Sequence, residues 1–406
     1  MPVRPETVPN RRRAMPWGEI PRGSFPGDGL VVVDKDSGVT SHDVVGAIRR
    51  LSGTKKVGHA GTLDPMATGV LCVGIGRVTK LLRYITGADK EYEATIRFGI
   101  ETSTEDADGE QVRKRGAASL DRGELSRCMS ALTGDVDQVP SSVSALKVAG
   151  RRAYDLVREG HDVALDARRV RVEAFEAVGD PRCGEIDGTA VVDLDVRVIC
   201  GAGTYIRALA RDLGQALGFG AHLTSLRRTR VGMWRLKEAT TVRDLADAVE
   251  ESGTIRIISL AELCHVMFPA VEVDAQEACD LRMGRFIPTR IPVPKKNADR
   301  VNVSGSVERD ALTDDVAAGV DSATNADAAT GDCIATEGCD PVDGGVAVAW
   351  EGETPVALVS LTSAGSKSTA PPSAHSKLPT SVPASASSIK FKPDLLLTVG
   401  PLPNRH

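Results

Sequence analysis

Between Gly58 and Gly69 the chain reads Gly-His-Ala-Gly-Thr-Leu-Asp-Pro-Met-Ala-Thr-Gly. It then runs uncharged through Val70-Leu71-Cys72-Val73-Gly74-Ile75-Gly76. A short continuous apolar run bounded by turn residues predicts a buried strand. The glycines ahead of it let backbone approach a ligand closely, and Pro65 restrains φ directly after Asp64. One carboxylate is therefore expected to sit in a rigid turn at the mouth of a core strand. That makes Asp64 a candidate catalytic group, although Asp-Pro also opens ordinary turns.

A chain of 406 residues can hold two domains with their own cores. Only 3% of residues are aromatic, so base stacking would rest on a handful of rings. No apolar stretch approaches a membrane span. The basic N-terminus (Arg4, Arg11, Arg12, Arg13, Trp17) lacks the apolar segment of a signal peptide. Eight cysteines stand without a CxxC pair, which favours reduced thiols in a cytoplasmic protein over disulfides or zinc. The net charge of −5 is misleading: residues 297–345 carry eleven Asp/Glu and two Arg, and the remainder is mildly basic.

Residues 1–28, rich in Pro, Arg and Gly, read as a disordered basic tail. A globular pattern follows. Leu30–Val33 reads as a strand. Thr40 or Ser41 can cap a helix carrying Val44, Val45, Ile48 and Leu51 on one face. Tyr92, Ala94, Ile96 and Phe98 alternate with polar residues, as do Val192, Leu194, Val196 and Val198: two half-buried strands. The acidic stretch Glu101–Glu110 reads as a loop. Gly201-Ala202-Gly203-Thr204 turns into a helix with Ile206, Leu209, Ala210, Leu213 and Leu217 as its stripe, ended by Gly218 or Gly220.

Such a pattern predicts an α/β protein of α+β type, with a mixed, largely antiparallel sheet in residues 29–262. Residues 263–406 read as a small β-rich domain interrupted near 297–345 and 362–388 by segments too polar or too simple to bury a core. Gly74-Ile75-Gly76 lacks the rest of a dinucleotide-binding fingerprint.

The Gly58–Gly69 string resembles the catalytic motif of the TruB family, the bacterial tRNA pseudouridine-55 synthases. Further blocks match that family in the same order. They are Lys90-Glu91-Tyr92, Ser144-Ala145-Leu146-Lys147 with Gly150-Arg151-Arg152-Ala153-Tyr154, Gly203-Thr204-Tyr205-Ile206-Arg207, and Ala221-His222-Leu223 with Leu226-Arg227-Arg228. They span roughly residues 30–235. After Pro140 the chain has Ser141-Ser142-Val143, where many members carry proline and an aromatic. The resemblance implies a pseudouridine-synthase catalytic fold followed by a PUA-like C-terminal domain. It also implies isomerisation of one uridine (position 55) in the T-loop of tRNA by base flipping, in a monomer that needs no cofactor and no metal.

Residue roles follow from the same resemblance. Asp64 acts on the glycosidic bond, as nucleophile at C1′ or as base. Arg207 keeps that carboxylate ionised and aimed. Tyr92 offers an aromatic face and a phenol, and Leu226 an apolar wall. His59 fills the place of the extruded base. Gly61, Thr62 and Tyr205 are expected to contact the substrate, and Lys147, Arg227 and Arg228 the RNA, with Arg151, Arg152, Arg168, Arg169, Arg171 and Arg230 as further basic groups. Lys35 matches a family position without a chemical role. Two other readings stand beside this one: an RNA-binding protein without catalysis on the same scaffold, and glycosidic hydrolysis by a carboxylate pair, for which the motifs hold no second acid.

Overall fold

Alternation along Tyr92–Phe98 becomes a strand because it lets one side chain in two enter the core while the other stays wet. In the computed structural model β-strand residues Tyr92, Ala94, Ile96 and Phe98 are buried, and Glu93, Thr95 and Arg97 face outward. The structure describes residues 15–141, 147–148, 151–152, 165–288, 346–363 and 389–397. It divides into two units, Met1–Val266 and Met267–His406.

In the first unit the strands run, in chain order, β1 (Gly29–Lys35), β2 (Val57–Ala60), β3 (Thr68–Ile75), β4 (Lys90–Phe98), β5 (Ile100–Thr102), β6 (Gln111–Lys114) and β7 (Gly134–Gln138). They continue with β8 (Lys147–Val148), β9 (Arg151–Arg152), β10 (Arg168–Ile186), β11 (Thr189–Cys200), β12 (Ala221–Val231), β13 (Trp234–Arg235), β14 (Thr240–Thr241) and β15 (Ile258–Ser259). The main sheet has the order β14-β1-β3-β12-β4-β11-β10-β7, with β2, β13 and β15 paired onto its flanks. Among the described strands of this sheet, only β1–β14 and β3–β12 pair in parallel. The mixed, largely antiparallel α+β arrangement read from the sequence is the one observed.

Strand β3, flanked by β1 and β12, is buried from Gly69 to Ile75, as its unbroken apolar run requires. The outer face of β4 and β11 is held by cross-strand pairs: Arg97 donates to both oxygens of Asp193, at 2.7 and 2.6 Å, and Arg197 to Glu91 at 2.8 Å. Helices Ser41–Leu51, Ile206–Ala216 and Val242–Ser252 contribute Val44, Ile48, Leu209, Leu213 and Leu245 to one core with Val31, Leu71, Ile96 and Val196. Thr40 caps the first helix in a reciprocal box with Asp43. Gly218 continues beyond the second at φ +80°.

Two expectations are corrected. Residues 15–28 are not part of a disordered tail. Trp17 is buried in the main core, Gly23 N–H donates to Arg50 O at 3.2 Å, and Ser24 N–H to Gly253 O at 2.9 Å. A buried indole removes on the order of 200 Å² from water, enough to order a short segment whose composition is otherwise that of a linker. The first fourteen residues of the expected tail lie outside the described residues. The acidic stretch Glu101–Glu110 is also more than a loop, because β5 pairs with β6 and brackets a tight turn in which Glu105 adopts φ +63°.

The second unit is a five-stranded sheet of order β16-β18-β19-β20-β17, formed by Ala270–Glu272 (β16), Ile287–Pro288 (β17), Val346–Glu351 (β18), Thr354–Ser363 (β19) and Ile389–Leu396 (β20). The hairpin β18–β19 turns at Gly352, φ +57°. The expected acidic insertion near 297–345 lies outside the described residues, as does the second beyond Ser363; Thr362 and Ser363 themselves belong to β19.

Candidate active site

Asp64 lies in the β2–β3 connection, and this connection is fastened from two sides. From below, Ser41 Oγ donates to Leu63 O at 3.1 Å and accepts from Leu63 N–H at 2.9 Å, while Gly38 N–H donates to Pro65 O at 2.7 Å. Lys35 Nζ donates to Val39 O at 2.7 Å, Asp36 O at 2.9 Å and Pro65 O at 3.3 Å. From the β12 side, Arg228 Nε donates to Val70 O at 2.8 Å, Nη2 to Gly61 O at 3.1 Å and Nη1 to Thr62 O at 3.4 Å. Both cations are buried; Lys35 donates all three of its protons to backbone oxygens and Arg228 bonds three of them, so they act as fixed clamps. Burial lowers the Lys35 ammonium to about 8, against the opposing pull of Asp64.

Arg207 is the second residue of the Ile206–Ala216 helix. That helix has no side-chain cap of its own. Its entry is set instead by Gln138, which accepts from Tyr205 N–H at 2.9 Å and donates to Tyr205 O at 3.1 Å. Gly203 (φ +88°) gives the preceding turn. The register of β7 thus fixes where the arginine emerges.

The two motifs meet. Arg207 Nη2 donates to Asp64 Oδ1 at 3.0 Å, and Nε lies 2.9 Å from Oδ2. This is a two-pronged guanidinium–carboxylate pair, with the arginine 4% and the aspartate 31% exposed. The far side of the guanidinium is held as well: Nη1 donates to Thr104 O at 2.9 Å and stands 3.6 Å from Asp106 Oδ2. Burial raises the Asp106 carboxyl, opposed by the Thr104 hydroxyl and Arg207. Sequence reasoning missed Asp106, because it sits in a polar stretch that looks like any surface loop.

A cavity of about 250 Å³ opens beside the pair, lined by Gly61 to Asp64, Thr86, Lys90, Tyr92, Gly201 to Arg207, Leu226 and Arg228. Tyr92, Leu226 and Arg228 come from adjacent strands: Tyr92 faces Arg228, and Ala94 faces Leu226, in the β4–β12 ladder. Burial raises the Tyr92 phenol, so the ring presents a neutral face. Lys90 Nζ donates to Thr86 O at 2.7 Å and Ala88 O at 2.5 Å, and burial lowers it to about 8. A larger groove of about 680 Å³, lined by Leu125, Met129, Phe175 and Leu194, lies away from these groups.

The structure therefore brings together Asp64, Tyr92, Arg207, Leu226, Gly61, Thr62 and Tyr205 around one cavity. The other expected groups stand outside this set or are held by protein partners. His59 lies on β2, opposite Val73, and does not line the cavity. Burial, then Arg228, lowers its imidazole. Arg227 is no free phosphate contact: it holds Asp34 at 2.7 and 3.2 Å. Arg228 is 1% exposed and cannot reach a solvent-side backbone. Arg230, displaced by a bulge in β12, is buried against Glu91 and Asp89. Leu226 and Arg228, two residues apart on one strand, share a face, and that parity was the available signal for a buried arginine. Among the expected basic groups, Arg169 and Arg171 are exposed beside Asp137 and Asp135. Lys147 falls on β8, paired with Arg152 of β9; its side chain lies outside the described residues.

No helix among the described residues is long and apolar enough to cross a membrane. Residues 49–206 match the model for the TruB family pseudouridylate synthase N-terminal domain, and residues 207–270 that for the tRNA pseudouridylate synthase B C-terminal domain. The chain is 54% identical over 265 residues to tRNA pseudouridine synthase B of Mycobacterium sp. (strain KMS), covering 65% of this chain and 86% of that protein. It is 52% identical over 261 residues to the Arthrobacter sp. (strain FB24) protein of the same name, covering 64% and 82%. Among solved structures, a chain of a Cbf5-Nop10-Gar1 complex aligns at 28% identity and a TM-score of 0.46, over 63% of this chain and 67% of that one. With both family models matched in succession and this extent of identity, the chain belongs to the TruB family of pseudouridylate synthases, enzymes that isomerise uridine to pseudouridine in tRNA.

Proposed function

We propose that the substrate is uridine 55 in the T-loop of tRNA, flipped out of its stack into the cavity beside Asp64. The observation that carries this reading is the two-pronged Asp64–Arg207 pair at the wall of a cavity also lined by Tyr92 and Leu226. An ionised carboxylate held in one orientation can act on the N1–C1′ bond at the sugar, as nucleophile or as base. The detached uracil then turns between the Tyr92 ring and Leu226, and C5 bonds to C1′. The C5 proton leaves and N1 takes one up, so product and substrate are isomers. A walled cavity favours rejoining over loss of the base.

Extrusion costs a few kcal/mol of stacking, and the site must offset it. In this reading His59 fills the vacated position, Gly61, Thr62 and Tyr205 position the nucleotide, and exposed basic groups such as Arg169 and Arg171 meet the T-arm backbone. The enzyme works as a monomer in the cytoplasm, with a PUA-like C-terminal unit.

The test is incubation with a uridine-labelled tRNA transcript without added cofactor, followed by mapping of pseudouridine. One modified position in the T-loop is expected. Modification elsewhere overturns the site assignment, and none at all overturns the chemistry.

A further inference from the structure

Lys90 stands in the wall of the ion-pair cavity, and the protein does not use up its ammonium. Nζ donates to Thr86 O at 2.7 Å and Ala88 O at 2.5 Å, at the end of the Leu82–Gly87 helix. An ammonium has three donors and no acceptor. Among the described residues the third proton meets no partner, although the residue is only 6% exposed. Burial brings the group to about 8, which leaves it mostly charged at neutral pH. A buried donor with a spare proton is costly unless an acceptor arrives.

Sheet register places this donor relative to Asp64. Lys90 and Tyr92 lie two residues apart on β4 and share its buried face. Along β12, Val231 stands opposite Lys90, Arg228 opposite Tyr92 and Arg227 opposite Glu93. Arg227 also stands opposite Thr68, the first residue of β3. Asp64 reaches Thr68 through a tight turn in which Ala67 N–H donates to Asp64 O at 3.1 Å. The acid therefore approaches from one side of the Tyr92 level, and Lys90 from the other. Gly61, three residues before the acid, extends to the lysine's end: a Cβ built there would lie 3.9 Å from Lys90 Cε.

The shape of uracil fits that order. C4 and its oxygen lie across the ring from N1, the atom bonded to C1′. With C1′ at Asp64 and the ring against Tyr92, O4 points toward Lys90. Rejoining through C5 turns the ring about its N3–C6 line, which exchanges N1 with C5 and C4 with C2. O2 then occupies the place that O4 held, so a carbonyl oxygen meets the ammonium before and after the reaction. Cytosine would bring an amino group to the same place, and two donors would face each other.

We propose that Lys90 selects uracil over cytosine, donating its third proton to O4 of the substrate and to O2 of the product. This rests on the reading of a base flipped into the cavity beside Asp64, but not on which uridine is modified.

The experiment measures affinity for tRNA transcripts in which each T-loop uridine in turn is kept, or replaced by 4-thiouridine or cytidine. Turnover leaves the comparison intact, because pseudouridine offers the same acceptor. At one position cytidine should weaken binding to the native chain about tenfold, and 4-thiouridine, whose sulfur accepts more weakly, by less. Lys90→Met should bind all three within about twofold, as should Lys90→Gln, whose amide retains a donor for the helix end. Equal affinity of the native chain for the three transcripts overturns the proposal, and so does a preference that persists in either variant. A preference that depends on Lys90 in a chain forming no pseudouridine sinks the isomerisation at this site and leaves the selection standing. Pseudouridine formed without any such preference does the reverse.

Discussion

Asp64 and Arg207, 143 residues apart in sequence, meet with Nη2–Oδ1 at 3.0 Å and Nε–Oδ2 at 2.9 Å. Neither side of the pair is left to chance: Arg228 and Lys35 fix the loop of the carboxylate, and Thr104, Asp106 and Gln138 fix the guanidinium and its helix. Asp64→Asn keeps the shape and removes the charge. It should abolish pseudouridine formation while tRNA affinity stays within about tenfold, since phosphate contacts carry most of that affinity. Arg207→Lys keeps the charge but loses the fork, and kcat should fall on the order of a hundredfold, as for a small misplacement of a reacting group. Single-turnover assays on a labelled transcript measure both. Retained turnover in Asp64→Asn removes that residue from the chemistry.

Arg228→Met leaves the buried carbonyl of Val70 and the part-buried carbonyls of Gly61 and Thr62 without this donor. Each such loss costs about 1–3 kcal/mol. Stability to urea should drop by about 3 kcal/mol, and kcat should fall with it as the Asp64 loop loosens. If Arg228 instead met RNA phosphates, the variant would weaken tRNA binding and leave the urea midpoint alone.

Gly69 begins the buried part of β3 at φ +102°, and a Cβ there would lie 2.2 Å from the Arg228 carbonyl oxygen. Gly69→Ala therefore combines backbone strain with a backbone clash, at a cost of about 3 kcal/mol or more. A denaturation midpoint equal to that of the native chain would show that β3 and β12 are not packed this closely.

Burial holds the Lys35 ammonium at about 8 in the folded chain, below its ordinary value of 10.5. Between those values the unfolded chain carries the proton and the folded chain does not, so this residue adds stability as pH rises through the window and none below it. Relative to Lys35→Met, which lacks the titration, the native chain should gain about 2 kcal/mol between pH 7 and 9.5. Parallel urea curves for the two proteins test the sign, and a constant difference across that range rules out the burial cost.

Every residue of the ion-pair cavity lies in the first of the two units. Deleting residues 297–345 should therefore leave kcat unchanged in the transcript assay. A deletion protein that no longer folds, seen by circular dichroism, would assign the acidic segment a structural part.

The strands, the helix carrying Arg207 and the turn holding Asp64 were readable because each rests on local pattern. Period-two alternation reports a half-buried strand, a bare apolar run a central one, and Gly203 the turn before a helix. Arg227, Arg228 and Arg230 were not readable as a group. Three arginines in four residues look like a basic face, but the register of β12 against β3 and β4 sends one to Asp34, one to the core and one to Glu91. Asp106 and Trp17 escaped for a related reason: each lies in a stretch whose composition is polar or linker-like, and only distant partners bury them.

From its residues alone this chain determined that an aspartate would stand at the mouth of a core strand, that an arginine would begin an amphipathic helix, and that a tyrosine would enter the core from an alternating strand. The tertiary structure decided that these three share one cavity, and which of the many cations are clamps and which remain free to meet an anion. Local periodicity sets where a side chain points relative to its own element. Burial and charge pairing depend on which other element arrives opposite, and sheet register decides that across more than a hundred residues of sequence.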